Sequence, residues 1–203
     1  MNRTRIIRLL ANLISFNQRL SAFYFFFLFA VSLFVSGCST SLSSIYDFDY
    51  PLTATIAESN SSQLQIQIPK GWLVAEDNAN KTSDIWLVKE DYSATIKFEK
   101  ISLDGETIKS FSEDELGKVA ELNKTLVKAR FGKAFSGFTN EESFGNAART
   151  FLAYQYADDK GQQIRTVLFK NNSQFYEVTA FALKSPNPAE IFKAQNSVLA
   201  SVK

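Results

Sequence analysis

From residue 63 onward the apolar positions change period several times, and each change marks an element. Gln63-Leu-Gln-Ile-Gln-Ile68 alternates strictly, with Leu64, Ile66 and Ile68 on one face. That spacing predicts a half-buried strand, which Pro69-Lys-Gly71 ends. Ile85-Trp-Leu-Val88 is a second apolar run. Ala94, Ile96 and Phe98 then alternate with Thr95, Lys97 and Glu99, so the two predict a hairpin turned at residues 89–91. Further on, Thr150–Tyr156, Ile164–Phe169 and Phe175–Leu183 predict a three-strand meander. Its turns fall at Asp158-Asp-Lys-Gly161 and at Asn171-Asn172, residues that tolerate turn geometry. Upstream, Tyr46-Asp-Phe-Asp-Tyr50 fits either an edge strand or a segment docked on the domain.

Two stretches have helical spacing instead. Ser112 and Glu115 form a capping box, with Phe111 and Leu116 placed as a staple. Leu116, Val119, Ala120, Asn123 and Val127 follow on one stripe, which Leu126 and Phe131 widen, and Gly132 suits the C-terminal cap. The last helix starts with Asn187 as N-cap, Pro188 in its first position and Glu190 in its first turn. Its apolar face is Ile191, Val198 and Val202, with Phe192 and Leu199 beside them. Strands grouped in meanders with helices between them imply an α+β class: an antiparallel sheet flanked by helices.

Residues 1–37 do not fit that domain. They hold Arg3, Arg5, Arg8 and Arg19, no acid, and seven of the 19 phenylalanines. The order is a basic region, an apolar core from Leu20 to Val35, then Ser36-Gly37, which is a secretory signal peptide. Val35-Ser36-Gly37-Cys38 resembles the lipobox of bacterial lipoproteins. The resemblance implies cleavage between Gly37 and Cys38, a diacylglyceryl group on the Cys38 thiol, and often an acyl chain such as palmitate on the new amino terminus. A thiolate is the nucleophile that such a transfer needs. The residue after the cysteine is Ser39 rather than aspartate. In a Gram-negative cell this implies the outer membrane, with the domain facing the periplasm. The expected organisation is a removed signal peptide (1–37), a lipidated tether (38–62) and one domain (63–203). Processing would leave 203 − 37 = 166 residues with net charge 1 − 4 = −3. That is one domain of ordinary size, about 100–200 residues, without the basic excess of a nucleic-acid binder.

Ile66-Gln-Ile-Pro-Lys-Gly-Trp72, the meander from Arg149 to Leu183 and the closing helix Ile191–Val202 resemble the PsbP-like fold family. That family includes the extrinsic PsbP subunit of the oxygen-evolving complex, a Ran-binding nuclear import factor and bacterial DcrB-type lipoproteins. The resemblance implies an α/β/α sandwich with a binding or assembly role, usually without catalysis. PsbP is tied to manganese and calcium retention, but no histidine is present here to match such a site, and no metal or cofactor is expected.

The chemistry available is narrow. With no histidine and one cysteine, Ser-His-Asp, Cys-His, zinc-finger and haem-attachment patterns are excluded. Gly132 and Gly137 do not make a P-loop, because Phe138 follows. Asp158-Asp159 is a candidate acid pair but is better read as a solvated turn, and Asp47 and Asp49 as solvent-facing neighbours of Phe48. Trp72 and Trp86 fit strand packing better than ligand stacking. Asn123 fits the margin of its helix better than the helix–sheet seam. The sequons at Asn60, Asn80, Asn123 and Asn172 are chance matches in a bacterial lipoprotein. The resulting expectation is a membrane-anchored, non-catalytic envelope protein with a protein partner. A small-ligand or lipid-binding domain is the alternative, and a carboxylate-based hydrolase a more distant one.

Overall fold

A computed structural model describes residues 48–59, 64–75, 83–110 and 115–203, all within the compact unit Leu42–Lys203. The expected signal segment and lipobox, Asp47, Asn60, Asn80 and the expected Phe111–Ser112 cap lie outside the described residues. Nine strands and three α-helices are described. The strands are β1 (Leu52–Glu58), β2 (Gln65–Pro69), β3 (Trp72–Val74), β4 (Ile85–Lys89), β5 (Thr95–Ile101), β6 (Thr139–Gly145), β7 (Thr150–Ala157), β8 (Gln163–Asn171) and β9 (Gln174–Ala182). The helices are α1 (Gly105–Ser110), α2 (Glu115–Phe131) and α3 (Pro188–Ala200).

Seven strands form one antiparallel sheet in the order β3-β4-β5-β9-β8-β7-β6, and β1 pairs with β2 in a separate ribbon. The expected α+β class and the antiparallel sheet are both present. The alternation that predicted the strands also sorts the two faces. Phe151, Ala153, Val167, Phe169, Tyr176 and Val178 share one core with Ile191, Val198 and Leu199 of α3. Their sequence neighbours Tyr154, Tyr156, Ile164 and Leu168 share another with Ala120 and Val127 of α2. Because side chains alternate across a strand, the two helices lie on opposite faces of the sheet.

The α3 layer is itself covered. Leu64, Ile66 and Ile68 of the ribbon join its core. Gln67 N donates to Ser201 Oγ at 2.9 Å, and Lys203 N to Gln65 O at 3.0 Å. The ribbon corrects the expected boundaries, since β1 lies before Gln63 in the stretch read as tether. Its pattern carried little signal because only Ala57 of its seven residues is buried. Residues 48–50 are not a strand, so the edge-strand option for Tyr46–Tyr50 is not realised there. They dock instead: Tyr50 N donates to Ser197 Oγ at 2.9 Å, and the rings of Phe48 and Phe144 are 6.4 Å apart.

Gly132 closes α2 with φ +53°, a left-handed conformation that an added Cβ would strain. Leu126 departs from its expected place on the stripe and is 58% exposed. The buried side of α2 runs through Val119, Ala120, Asn123 and Val127, which leaves Leu126 on the outer margin.

Candidate functional site

The polar chemistry of the domain gathers where the two helices meet the sheet. Below α2, Asn123 is 9% exposed and sits at the helix–sheet seam, which corrects its expected place at the margin. Its Nδ2 donates to Glu177 Oε2 at 2.6 Å, and its Oδ1 accepts from the Tyr154 hydroxyl. An asparagine can do both at once because its amide carries a donor and an acceptor. Burial, and then the negative charge of Glu177, push the Tyr154 hydroxyl well above its ordinary pKa, so it stays a donor. Thr179 Oγ1 donates to the other oxygen, Glu177 Oε1, at 2.9 Å.

Glu99 faces Glu177 directly across β5 and β9. Both line a small polar pocket of about 140 Å³ with Lys97, Arg130, Tyr156 and Phe181. Desolvation, and then the like charge of Glu177, hold the Glu99 carboxyl above its ordinary range. Ser83 Oγ, 3.3 Å away, partly opposes this. Lys97 Nζ sits 4.6 Å from the centroid of the Trp86 ring, within cation–π range. Sequence reading passed over Glu99 and Glu177 because each is only one polar position in an alternating strand. The register, which brings them together, is a property of the fold.

On the other flank of α2 an open cleft of about 310 Å³ runs between the helix and β6–β7. Its rim is charged: Lys124 bridges Glu121 at 2.5 Å and Glu141 at 2.8 Å. Burial disfavours the Lys124 ammonium, but its hydrogen bonds to Glu121 and Glu141 outweigh that and raise its pKa.

Below α3 a fully buried cation, Arg165, fills the opposite seam. Its Nη1 donates to Gln195 Oε1 at 2.9 Å and to Asn196 Oδ1 at 2.8 Å, while Nη2 reaches Glu142 Oε1 at 2.9 Å. Gln195 Nε2 in turn donates to Val178 O at 2.8 Å. One signal for this hub was present in the sequence. Gln195-Asn196-Ser197 falls between the apolar residues Ile191, Phe192 and Ala194 on one side and Val198 and Leu199 on the other, and all three are buried.

The remaining candidates fall where turn and packing arguments put them. Asp158 Oδ1 accepts from Lys160 N at 2.9 Å and Gln162 N at 2.8 Å, which makes it a turn residue. Asp49 pairs with Lys193 at 2.6 Å. Trp72 is 3% exposed in the α3-side core, and Trp86 is half-buried beneath Lys97. Asn172 occupies its turn with φ +55°, and the Asn123 sequon lies buried on α2. Among the described residues no three His, Cys, Asp or Glu side chains gather as a metal set, and no helix is long and apolar enough to cross a membrane.

An antiparallel sheet between two helices, closed by a C-terminal helix, is a PsbP-like fold. The solution structure of cyanobacterial PsbP (CyanoP) from Synechocystis sp. PCC 6803 matches this chain with a TM-score of 0.53 at 10% identity, over 73% of this chain and 91% of that one. PA94 from Pseudomonas aeruginosa, a protein of unknown function, matches with a TM-score of 0.31 at 13% identity, over 66% and 85% of the two chains. No family model and no curated protein matches the sequence. At these identities the likeness concerns the fold alone, which does not fix function.

Proposed function

We propose that the chain is a bacterial envelope lipoprotein. It is anchored through acyl groups on Cys38, and its PsbP-like domain serves as a non-catalytic binding or assembly module for a protein partner. The observation that carries this reading is the lipobox Val35-Ser36-Gly37-Cys38, which ends ten positions before the first described residue of the domain, Phe48. Membrane anchoring through two or three acyl chains is effectively stable. In a Gram-negative host, Ser39 directs the anchor to the outer membrane, with the domain in the periplasm.

The polar sites favour binding over catalysis. Glu177 is held by Asn123 and Thr179, and Glu142 by Arg165. The pocket that holds Glu99 and Glu177, about 140 Å³, is small beside ligand sites of roughly 300–1,000 Å³. The larger cleft reaches that range but is rimmed by Glu121, Lys124, Glu141 and Glu142, which suits a polar protein surface better than an apolar ligand. Crosslinking in intact cells, followed by affinity isolation of the acylated protein, should recover one specific envelope protein. That recovery should weaken with Lys124→Glu. Recovery of no specific protein, or recovery indifferent to any change on the domain surface, would contradict the reading.

A further inference from the structure

β6 is the last strand of the seven-stranded sheet, and no strand among the described residues lies beyond it. Edge strands are commonly blunted by lysine, proline or bulges. β6 reads Thr-Asn-Glu-Glu-Ser-Phe-Gly, without lysine or proline, and its irregularity falls between Thr139 and Glu142. Residues 142–145 therefore form a regular, open edge. Asn146 N donates to Arg149 O at 3.0 Å and closes the β6–β7 hairpin. Bonded and non-bonded pairs alternate from that point. Phe144 and Glu142 thus share the ladder bonds with Phe151 and Ala153, whereas Ser143 and Gly145 stand opposite Leu152 and Thr150 in non-bonded pairs. Ser143 and Gly145 are both exposed, and their N–H and C=O groups point outward from the sheet.

The cleft between α2 and β6–β7 lies beside this edge, and Ser143 is part of its lining. Ala120, Leu152 and Ala153 give it apolar surface, and Glu121 and Glu141 stand exposed at its rim. Three carboxylates, Glu121, Glu141 and Glu142, meet two cations, Lys124 and Arg165, which leaves −3 + 2 = −1. That charge falls on the rim, because Arg165 offsets Glu142 while Glu121 and Glu141 share one lysine. Lys124 also ties the carboxylate of α2 to that of β6. Lys124→Glu would replace this tie with repulsion and splay the cleft, which is how it would weaken capture of a cationic partner.

We propose that β6 accepts an extended segment of the partner protein as an eighth strand, with a lysine or arginine of that segment in the cleft. This deepens the binding-module reading and rests on it. In strand addition the main-chain bonds supply affinity and the side-chain pockets supply selectivity. Here the bonds are those to Ser143 and Gly145. A residue paired with Ser143 projects from the same face of the sheet, toward the cleft. Its alkyl stem lies along Ala120 and Leu152 while its charge meets Glu121 and Glu141.

The probe is a fluorescent, end-capped peptide, Thr-Val-Thr-Lys-Thr-Val-Thr. It is titrated by anisotropy onto the acylated full-length protein in nanodiscs of phosphatidylcholine, whose zwitterionic surface does not compete for the lysine. Saturable binding is expected, weaker by about fivefold or more when glutamate replaces the lysine of the peptide. Glu121→Gln/Glu141→Gln should weaken it similarly. Ser143→Pro removes an N–H that β7 does not use, so it should abolish binding and leave the Tm of the domain in place. A peptide N-methylated at its lysine and valines should not bind, and it decides the matter if Ser143→Pro fails to fold. Equal binding of the lysine and glutamate peptides, binding indifferent to N-methylation, or no binding of the lysine peptide up to millimolar concentration would overturn the proposal. Slow hydrogen exchange at Ser143 and Gly145 in the protein alone would also overturn it. If that slowing grows with protein concentration the edge belongs to a second copy, and otherwise to the chain's own residues. Failure of the binding-module reading shows itself separately, as crosslinking that recovers no envelope protein. A partner recovered undiminished from Ser143→Pro would keep that reading and remove this one.

Discussion

Arg165 is the point at which the fold is most exposed to a single change. Arg165→Ala would remove a guanidinium with no exposed surface and strand three acceptors, of which Glu142 carries a charge and a side chain only 10% exposed. Removing one partner of a buried ion pair typically costs about 3–5 kcal/mol, because the remaining charge has lost its counter-ion without regaining water. A domain of this size has roughly 5–15 kcal/mol of stability in all, so the variant should lose a large share of it. The expected drop in Tm, at about 2–4 °C per kcal/mol, is roughly 6–20 °C. Part of that loss is a consequence of leaving Glu142 behind. Arg165→Met with Glu142→Gln removes both charges and keeps an unbranched apolar chain, so it should recover at least half of it. Gln195 should remain placed in that double variant, because its Nε2 still donates to Val178 O. Urea unfolding followed by circular dichroism measures all three proteins. A cost below about 1 kcal/mol for Arg165→Ala, or a double variant no more stable than the single one, would refute the reasoning.

Other changes test the α2 side and the turns. Asn123→Leu fits the helix but leaves the Tyr154 hydroxyl and one oxygen of Glu177 without their partner, and should cost about 1–3 kcal/mol by the same denaturation assay. Glu99→Gln should stabilise the domain near neutral pH. Its folded pKa is raised above the ordinary 4.5, so its favourable contribution is complete below that value and is lost as pH rises through the folded one. The gain over wild type should therefore appear above that window and vanish in acid, as read from Tm against pH. Gly145→Ala would place a Cβ 2.7 Å from Arg149 O and should lower Tm. Gly132→Ala, at φ +53°, should cost about 1 kcal/mol.

Much of the sheet was legible because alternation reports burial directly. Leu64, Ile66, Ile96 and Phe98 are all buried on the faces their spacing assigned. The elements that escaped have little apolar signal of their own. β6, Thr139–Gly145, has no fully buried residue, and β3 is only three residues long. Leu126 and Asn123 misled for one reason. Hydrophobicity predicted which side of α2 would be covered, whereas the position of the sheet decided it, and Asn123 is buried because Glu177 and Tyr154 wait opposite. Pairings across the sheet, such as Glu99 with Glu177 and Arg165 with Glu142, depend on register and strand order, which a single sequence does not specify. Cys38 is the reverse case. The acylation proposed for it rests on four consecutive residues, Val35-Ser36-Gly37-Cys38, and on no feature of the fold.

The central claim is therefore best tested at that residue. The protein should be expressed in a bacterial host with its own first 37 residues, extracted from membranes and measured by intact mass spectrometry. The account predicts a chain beginning at Cys38, heavier by a diacylglyceryl group and in many hosts by a further acyl chain, with Cys38→Ala accumulating as unmodified precursor. A wild-type protein that keeps residues 1–37, or that begins elsewhere and carries no lipid, would contradict it.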